Sequence, residues 1–510
     1  MRDNTHLAWR AALAIALMIA FYVLALAVVA VLIAIPVGLF QTHAWGFFAK
    51  IGFFCAVGIF VILKSIVPRP DRFEAPGPRL TPQEQPRLFA EIRAVAAAVK
   101  QVVPAEVYLV PDVNAWVRHR GGLMGIGSRR VMGLGLPLLQ VLTVPELKAV
   151  LAHEFGHFHG GDVAIGPWIY KTRDALVRTV SELHDHSEAL SLPFIWYGNH
   201  FFRITLAVSR HQETLADRLA AGVVGARTLA SGLRATNEAG FAFFPYWKGA
   251  VEPVLAAGFV PPLTAGFDDF LKAPWLAEAM TSALAEQAKA PHDPYDSHPP
   301  LAERLKVLGV DQEAAAERQA GPRAHSLLSG IPALEKALAT FLRHGPATPD
   351  NPMSLNLGID PRDLAPLPWE DVAARVWLPE WERTARRFAR HLAGVTPVAL
   401  PELDWLAVGR RLSAGHDDAE PLEVVDYAVG IALAIVLYRA GFTMESHPAS
   451  MRDMQGLGQH VKTFGIREHL AKGPEPVAAW RELCAQAGIA DVDLGDAVRT
   501  PQTRHKEGRP

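Results

Sequence analysis

Cysteine is almost missing from this chain. Its 510 residues contain two, Cys55 and Cys484, too few for a disulfide framework or a thiolate zinc site. A metal here has to be held by histidine and carboxylate, and 20 histidines are available. An excess of one charge is missing as well, since 50 Lys and Arg face 52 Asp and Glu. That balance excludes a nucleic-acid-binding surface set by composition, and it excludes a solvated acidic tail. The glycines from Gly121 to Gly127 are not followed by Gly-Lys-Ser/Thr and lie between two strand patterns, which excludes a phosphate loop. No internal repeat is present.

A third absence is local. Between Arg10 and Lys50 there is no Asp, Glu, Lys or Arg. The stretch from Ala11 to Phe40 is longer than the roughly 20 apolar residues that span a bilayer, and far longer than the roughly 7–15 of a cleavable signal. A second apolar run, Trp45 to Val67, carries only Lys50 and Lys64, placed near its ends where their stems reach the headgroups. The two runs predict a transmembrane helical hairpin in contact with the lipid bilayer. Arg2 and Arg10 precede it and Lys64, Arg69, Arg72 and Arg79 follow it, while Gln41 to Ala44 has no Lys or Arg. The positive-inside bias therefore predicts a multi-pass protein of the cell or inner membrane with both ends of the hairpin, and the bulk of the chain, in the cytoplasm.

After the hairpin (residues 1–67), a Pro-, Arg- and Gly-rich stretch reads as a linker (68–86). A domain is expected over 87–344, a Pro-rich linker over 345–368, and a helical region without an assigned role over 369–510. Helical spacing marks Leu88–Val102, Pro167–Leu183, Asn199–Val224 and Pro274–Ala290. Short strands are expected at Val107–Val110, Val113–Val117 and Arg130–Leu136. Leu192–Val208 and Val425–Tyr438 are also apolar, but each contains charge. The second reads as a buried helix more readily than as a span.

From Pro145 a helical pattern runs into His153-Glu154-Phe155-Gly156-His157. Histidines four apart share a helix face and can reach one cation, while the intervening Glu154 lies where it can accept a proton from metal-bound water. Two imidazoles and an oxygen ligand suit Zn2+ with one open position. The third ligand decides the subclass. A metzincin would continue to a histidine at the position occupied by Val163, so that subclass fails although Gly160 is in place. Glu213-Thr-Leu-Ala-Asp217 instead offers a ligand carboxylate, Glu213, with Asp217 one turn on to fix a histidine tautomer. Glu182, His184 and His186 lack such a pair.

These motifs resemble those of the HtpX-like and CAAX prenyl-protease group of integral-membrane zinc peptidases. The likeness rests on Asn114-Ala115 in a strand context, Glu146 through His157, Gly161-Asp162, Ser209 through Asp217, and Ser297-His298-Pro299-Pro300-Leu301 with Arg304. It runs from Met1 to Leu308. It departs where Lys171, Arg173, Asp174 and Arg178 interrupt the segment after His157, and it does not extend into the last part of the chain. The resemblance implies that His298 stabilises the oxyanion, with His292 and Tyr295 as weaker candidates. It also implies that Arg304 supports a carboxylate or the substrate.

The expected fold is mainly α with a small β-sheet, an α+β zincin-like catalytic domain behind the hairpin. The expected function is zinc-dependent endopeptidase action on a polypeptide substrate, membrane-associated ones included, in membrane-protein quality control or processing. A substrate strand would pair with the edge near Val113–Val117. The rivals are a zinc-binding membrane scaffold or chaperone-like protein without turnover, and a metal hydrolase acting on something other than peptides.

Overall fold

A computed structural model describes residues 2–42, 45–67, 73–121, 127–158, 166–289, 299–344, 353, 355, 364–414, 420–448 and 453–499. The protein is mainly helical with small sheets, as its sequence predicts, and it divides into two compact units.

The first unit comprises residues 1–241, 282–331 and 348–353. Its two apolar runs form helices α1 (Arg2–Gln41) and α2 (Trp45–Ile66). Within them Ile15–Gln41 and Phe48–Ile66 are long and apolar enough to cross a membrane. Ile19, Val23, Leu26, Phe53 and Phe60 stay exposed along these helices, which in water would be a large unpaid hydrophobic surface and in lipid is none. The chain is accordingly a membrane protein. The inward faces of α1 and α2 carry Phe21, Ala25, Leu32 and Ile62. These pack with Ala175, Leu176 and Leu183 of α6 (Gly166–His186) and with Phe194, Tyr197 and Phe201 of α7 (Glu188–Val224). The Tyr197 hydroxyl donates to the Leu17 carbonyl. Helix α7 begins eleven residues before the expected Asn199, because the apolar Leu192–Val208 segment continues it, with Pro193 inside its second turn.

The same unit contains a four-stranded sheet with spatial order β1-β2-β4-β3: β1 (Arg79–Leu80), β2 (Glu106–Val110), β3 (Ala115–Arg120) and β4 (Arg129–Gly135). Strands β2 and β4 are parallel and the other pairs antiparallel. Strand β3 is therefore an edge. Helix α3 (Pro86–Ala98) contributes buried Leu88, Ile92 and Val95, and it stops before the expected Val102 at Lys100, whose φ is 55°. The short α4 (Leu136–Val141) then leads to α5 (Val144–Gly156).

Helix α5 starts by a capping box. The Thr143 hydroxyl accepts from the Glu146 N–H, and Glu146 accepts from the Thr143 N–H at 2.9 Å, an arrangement worth about 1 kcal/mol. The apolar positions Leu147, Leu151 and Phe155 are fully buried. Helix α5 lies directly on α7, and Gly156 is the point of closest approach, where a Cβ would stand 2.8 Å from the Ala216 Cα. Helices α12 (Leu301–Leu308) and α13 (Gln312–Ala316) complete the unit. Helix α8 (Ala226–Tyr246) begins in this unit and ends in the second.

The second unit comprises residues 242–281, 332–347 and 354–510. It includes α9 (Glu252–Ala256), α10 (Leu263–Leu271), the start of α11 (Pro274–Lys289), α14 (Ile331–His344) and α15 (Trp369–Val372). Its two cores have different chemistry. One is aromatic: Phe267, Phe270 and Trp369 each pack against Tyr246, with the Trp369 indole N–H donating to the Pro262 carbonyl at 3.0 Å. The other is aliphatic: α18 (Pro421–Arg439) is buried from Ala428 to Leu437 among α16 (Leu378–Phe388), α17 (Trp405–Leu412) and α21 (Leu494–Arg499). Asp426, the charge inside that apolar run, receives the Arg467 guanidinium at 2.7–3.0 Å. Helices α19 (Ile466–Leu470) and α20 (Pro474–Gln486) follow. Strands β5 (Phe259–Val260) and β6 (Ala365–Pro366) pair in parallel. Strands β7 (Thr443–Met444), β8 (Asp453–Gly456) and β9 (Gln459–Lys462) form a meander whose last turn places Leu457 and Gly458 at φ 52° and 72°. No strand was expected there, since runs this short carry almost no alternation.

Candidate metal centre

Three elements build the site. Helix α5 carries His153 and Glu154 and ends at His157. Helix α7 crosses at Gly156 and presents Glu213 and, one turn later, Asp217. Helix α12 brings in Arg304.

His153 Nε2 lies 3.5 Å from Glu213 Oε2, and His157 Nε2 lies 3.4 Å from Glu213 Oε1. The two imidazole rings are 4.8 Å apart and nearly perpendicular, at 84°. Nitrogen and oxygen ligands about 2.0–2.1 Å from a tetrahedral zinc stand about 3.3–3.4 Å from each other, so both separations match the edges of such a polyhedron. His153 and Glu213 are each 3% exposed, and burial this deep requires a compensating charge. The donor set fits a zinc-like cation. Glu154 also lies at the cluster, with one carboxylate oxygen and one nitrogen from each histidine all within 4.8 Å of one another.

On the opposite edge of His153, Nδ1 faces Asp217 Oδ1 at 2.9 Å. A proton on Nδ1 makes this a hydrogen bond to the carboxylate and leaves the Nε2 lone pair for a cation. Arg304 Nε donates to Asp217 Oδ2 at 2.9 Å and Nη2 to Oδ1 at 2.6 Å, while Nη2 stands 4.0 Å from Glu213 Oε2. This buried fork outweighs the effect of burial, which alone would raise the Asp217 pKa, and with His153 holds it below the usual carboxylate range. Burial lowers the His153 pKa, but Asp217 and Glu213 outweigh it and raise the pKa to about 9. An imidazole with this much negative charge around it attracts a proton or a cation.

A second buried cluster sits below the helix and was not anticipated as a unit. Glu146 is fully buried and receives Ser231 Oγ at 2.6 Å, Arg318 Nε at 2.9 Å and Arg318 Nη2 at 2.6 Å. Burial pushes its pKa up, but Arg318, Ser231 and the Thr143 N–H together bring it down to about 2. The Thr-x-x-Glu spacing was a readable cue for the cap. Nothing local links Glu146 to Arg318, 172 residues away.

Of the remaining expected site residues, Ala115 is buried at the start of β3, and Asn114, just before it, is exposed with its carbonyl accepting from the Gly135 N–H at 2.8 Å. His298, His292 and Tyr295 lie outside the described residues, as do Gly160, Gly161, Asp162 and Val163.

A helix-borne His-Glu-x-x-His pair facing a Glu and Asp on a second helix, behind apolar spans, defines the class of membrane metalloproteases. Comparison with known proteins agrees: residues 82–310 match Peptidase family M48, which bears out the resemblance read from the motifs. Over 83 residues, 16% of this chain, the sequence is 36% identical to Protease HtpX homolog 1 of Saccharolobus solfataricus (strain ATCC 35092 / DSM 1617 / JCM 11322 / P2). The aligned stretch spans 24% of that relative's length. No solved structure matches the chain.

Proposed function

We propose that this protein is a membrane-anchored, zinc-dependent endopeptidase acting in membrane-protein quality control or processing. The observation that carries the reading is the convergence of His153, His157 and Glu213 at ligand-edge distances in a buried site beside the Glu154 carboxylate. Zinc held by these three side chains would supply a Lewis acid for the scissile carbonyl and lower the pKa of the attacking water. Glu154 takes the proton from that water and passes it to the leaving amine. Asp217 keeps the His153 Nδ1 proton in place, and Arg304 keeps Asp217 ionised. By resemblance, His298 stabilises the oxyanion.

The edge strand β3 suits an extended polypeptide. The Gly135 N–H donates to the Asn114 carbonyl and Ala115 is in register with Leu134. In antiparallel pairing this turns the peptide groups of Ala115, Val117 and His119 away from β4, toward the open edge. The arginines and lysine flanking the hairpin support a cytoplasmic catalytic domain and a multi-pass topology.

The test is metal content measured beside casein cleavage for the wild type and Glu154→Gln. Stoichiometric zinc in both, with cleavage in the wild type alone, is the expected result. Cleavage that survives in the variant or in the chelated wild type removes the reading.

A further inference from the structure

We propose that the C-terminal region contains a binding site for a phosphate monoester, in a cleft formed by the C-terminal ends of α16 and α17 and the start of α18. The cleft has a volume of about 450 Å³ and is lined by Arg387, Arg390 and Arg411, a size in the range of small-ligand sites.

Several arginines elsewhere in this unit have a carboxylate partner, although among the described residues Arg386 and Arg410 do not. Arg383 pairs with Glu380, Arg439 with Glu382, Arg467 with Asp426 and Arg481 with Glu402. Among the described residues, no carboxylate pairs with Arg387, Arg390 or Arg411. Arginine cannot relieve such crowding by losing a proton. His391 is the group that gives way. Arg390 Nε donates to His391 Nε2 at 2.8 Å, so that nitrogen is an acceptor and the ring is neutral. Burial, then Arg390 and Arg411, push its pKa below the usual histidine value.

Favourable interaction with the helix macrodipole accounts for basic residues in the last turns of α16 and α17 taken singly. It does not account for three guanidiniums from two helix ends and a connecting turn lining one cleft. A cleft lined in this way suits an anion. A dianionic phosphoryl group matches several forked donors better than a carboxylate does, and Thr384 and Ser413 also line the cleft. The volume exceeds that of inorganic phosphate, and Phe388 and Leu412 provide an apolar surface for an organic body. A soluble phosphate ester and an anionic lipid headgroup share this chemistry.

The experiment uses the full chain in phosphatidylcholine nanodiscs, titrated with phenyl phosphate at constant ionic strength and followed by calorimetry. Benzoate serves as the monoanionic control. Saturable binding is expected, weakened at least about tenfold by Arg390→Gln or Arg411→Gln and at most about twofold by Arg386→Gln, which removes one charge outside the cleft. Unchanged thermal unfolding of each variant shows that the fold is intact. Nanodiscs containing phosphatidic acid separate the two sources: competition with phenyl phosphate assigns the site to a headgroup, and its absence assigns it to a soluble ester. No saturable binding, equal affinity for benzoate, or equal loss in Arg386→Gln overturns the proposal.

Discussion

Gly156 and Ala216 meet where α5 crosses α7, so closely that a Cβ on Gly156 would lie 2.8 Å from the Ala216 Cα. The two histidines of the candidate metal centre flank this glycine, and Glu213 lies one turn before Ala216. The tightness of the crossing therefore sets the distance between the imidazoles and the carboxylate. Gly156→Ala favours the helix by intrinsic propensity yet forces the pair apart. We expect unchanged far-UV helicity, a stability loss of about 1–3 kcal/mol, and zinc affinity reduced at least about tenfold by chelator competition. Wild-type affinity in this variant would show that the crossing has slack.

Asp217 contacts His153 Nδ1 at 2.9 Å, and in the proposed reading it acts on the site through that ring. Asp217→Asn keeps the shape but removes the charge that orients the Nδ1 proton and neutralises Arg304. Zinc affinity should fall by about 10–100-fold, and cleavage should return when zinc is supplied in excess. Activity that stays low at saturating zinc would assign Asp217 a different task.

The buried Glu146 sets an acid limit. Its pKa falls from 4.5 to about 2 in the folded protein, so its stabilising contribution is complete above pH 4.5 and is lost as the pH falls through 2. Arg318→Met removes the principal partner. The expected cost is about 2 kcal/mol, less than for a fully enclosed pair because Arg318 is partly exposed. The cost should shrink as the pH falls from 4.5 toward 2, because protonated Glu146 no longer needs the guanidinium, so the two proteins converge in acid. Parallel melting curves between pH 3 and 7 would reveal no separation if Glu146 were solvated.

Ala115→Pro tests the edge strand. The substitution deletes an outward N–H without breaking a bond to β4, and proline is tolerated at the first residue of an edge strand. Bound zinc should stay stoichiometric while casein cleavage drops, chiefly through a higher KM. Cleavage at the wild-type rate would mean that polypeptide enters by another route.

The hairpin, the histidine-bearing helix and the pairing of Glu213 with Asp217 were legible because each depends on a period, of 3.6 residues or of a membrane thickness. Strand β3 was placed two residues early because Val113 and Val117 alternate as a strand would, while Asn114 ends the turn before it. The bond from Arg318 to Glu146 and the arginine-lined cleft were not legible. Both join residues that share no local pattern, and only the folded chain brings them together. The three-stranded meander escaped for the opposite reason, its strands being too short to show alternation above the background.

Helix α7 runs without an internal proline from Tyr197, packed on the membrane hairpin, to Glu213 at the metal site. Sixteen residues at 1.5 Å each make a rod about 24 Å long. On the proposed function it would act as a ruler: a substrate chain lying beside Tyr197 would have to extend about seven residues before a peptide bond comes level with Glu213. Peptide bonds nearer the lipid would fall short of that mark, and tethering itself would select where a membrane substrate is cut.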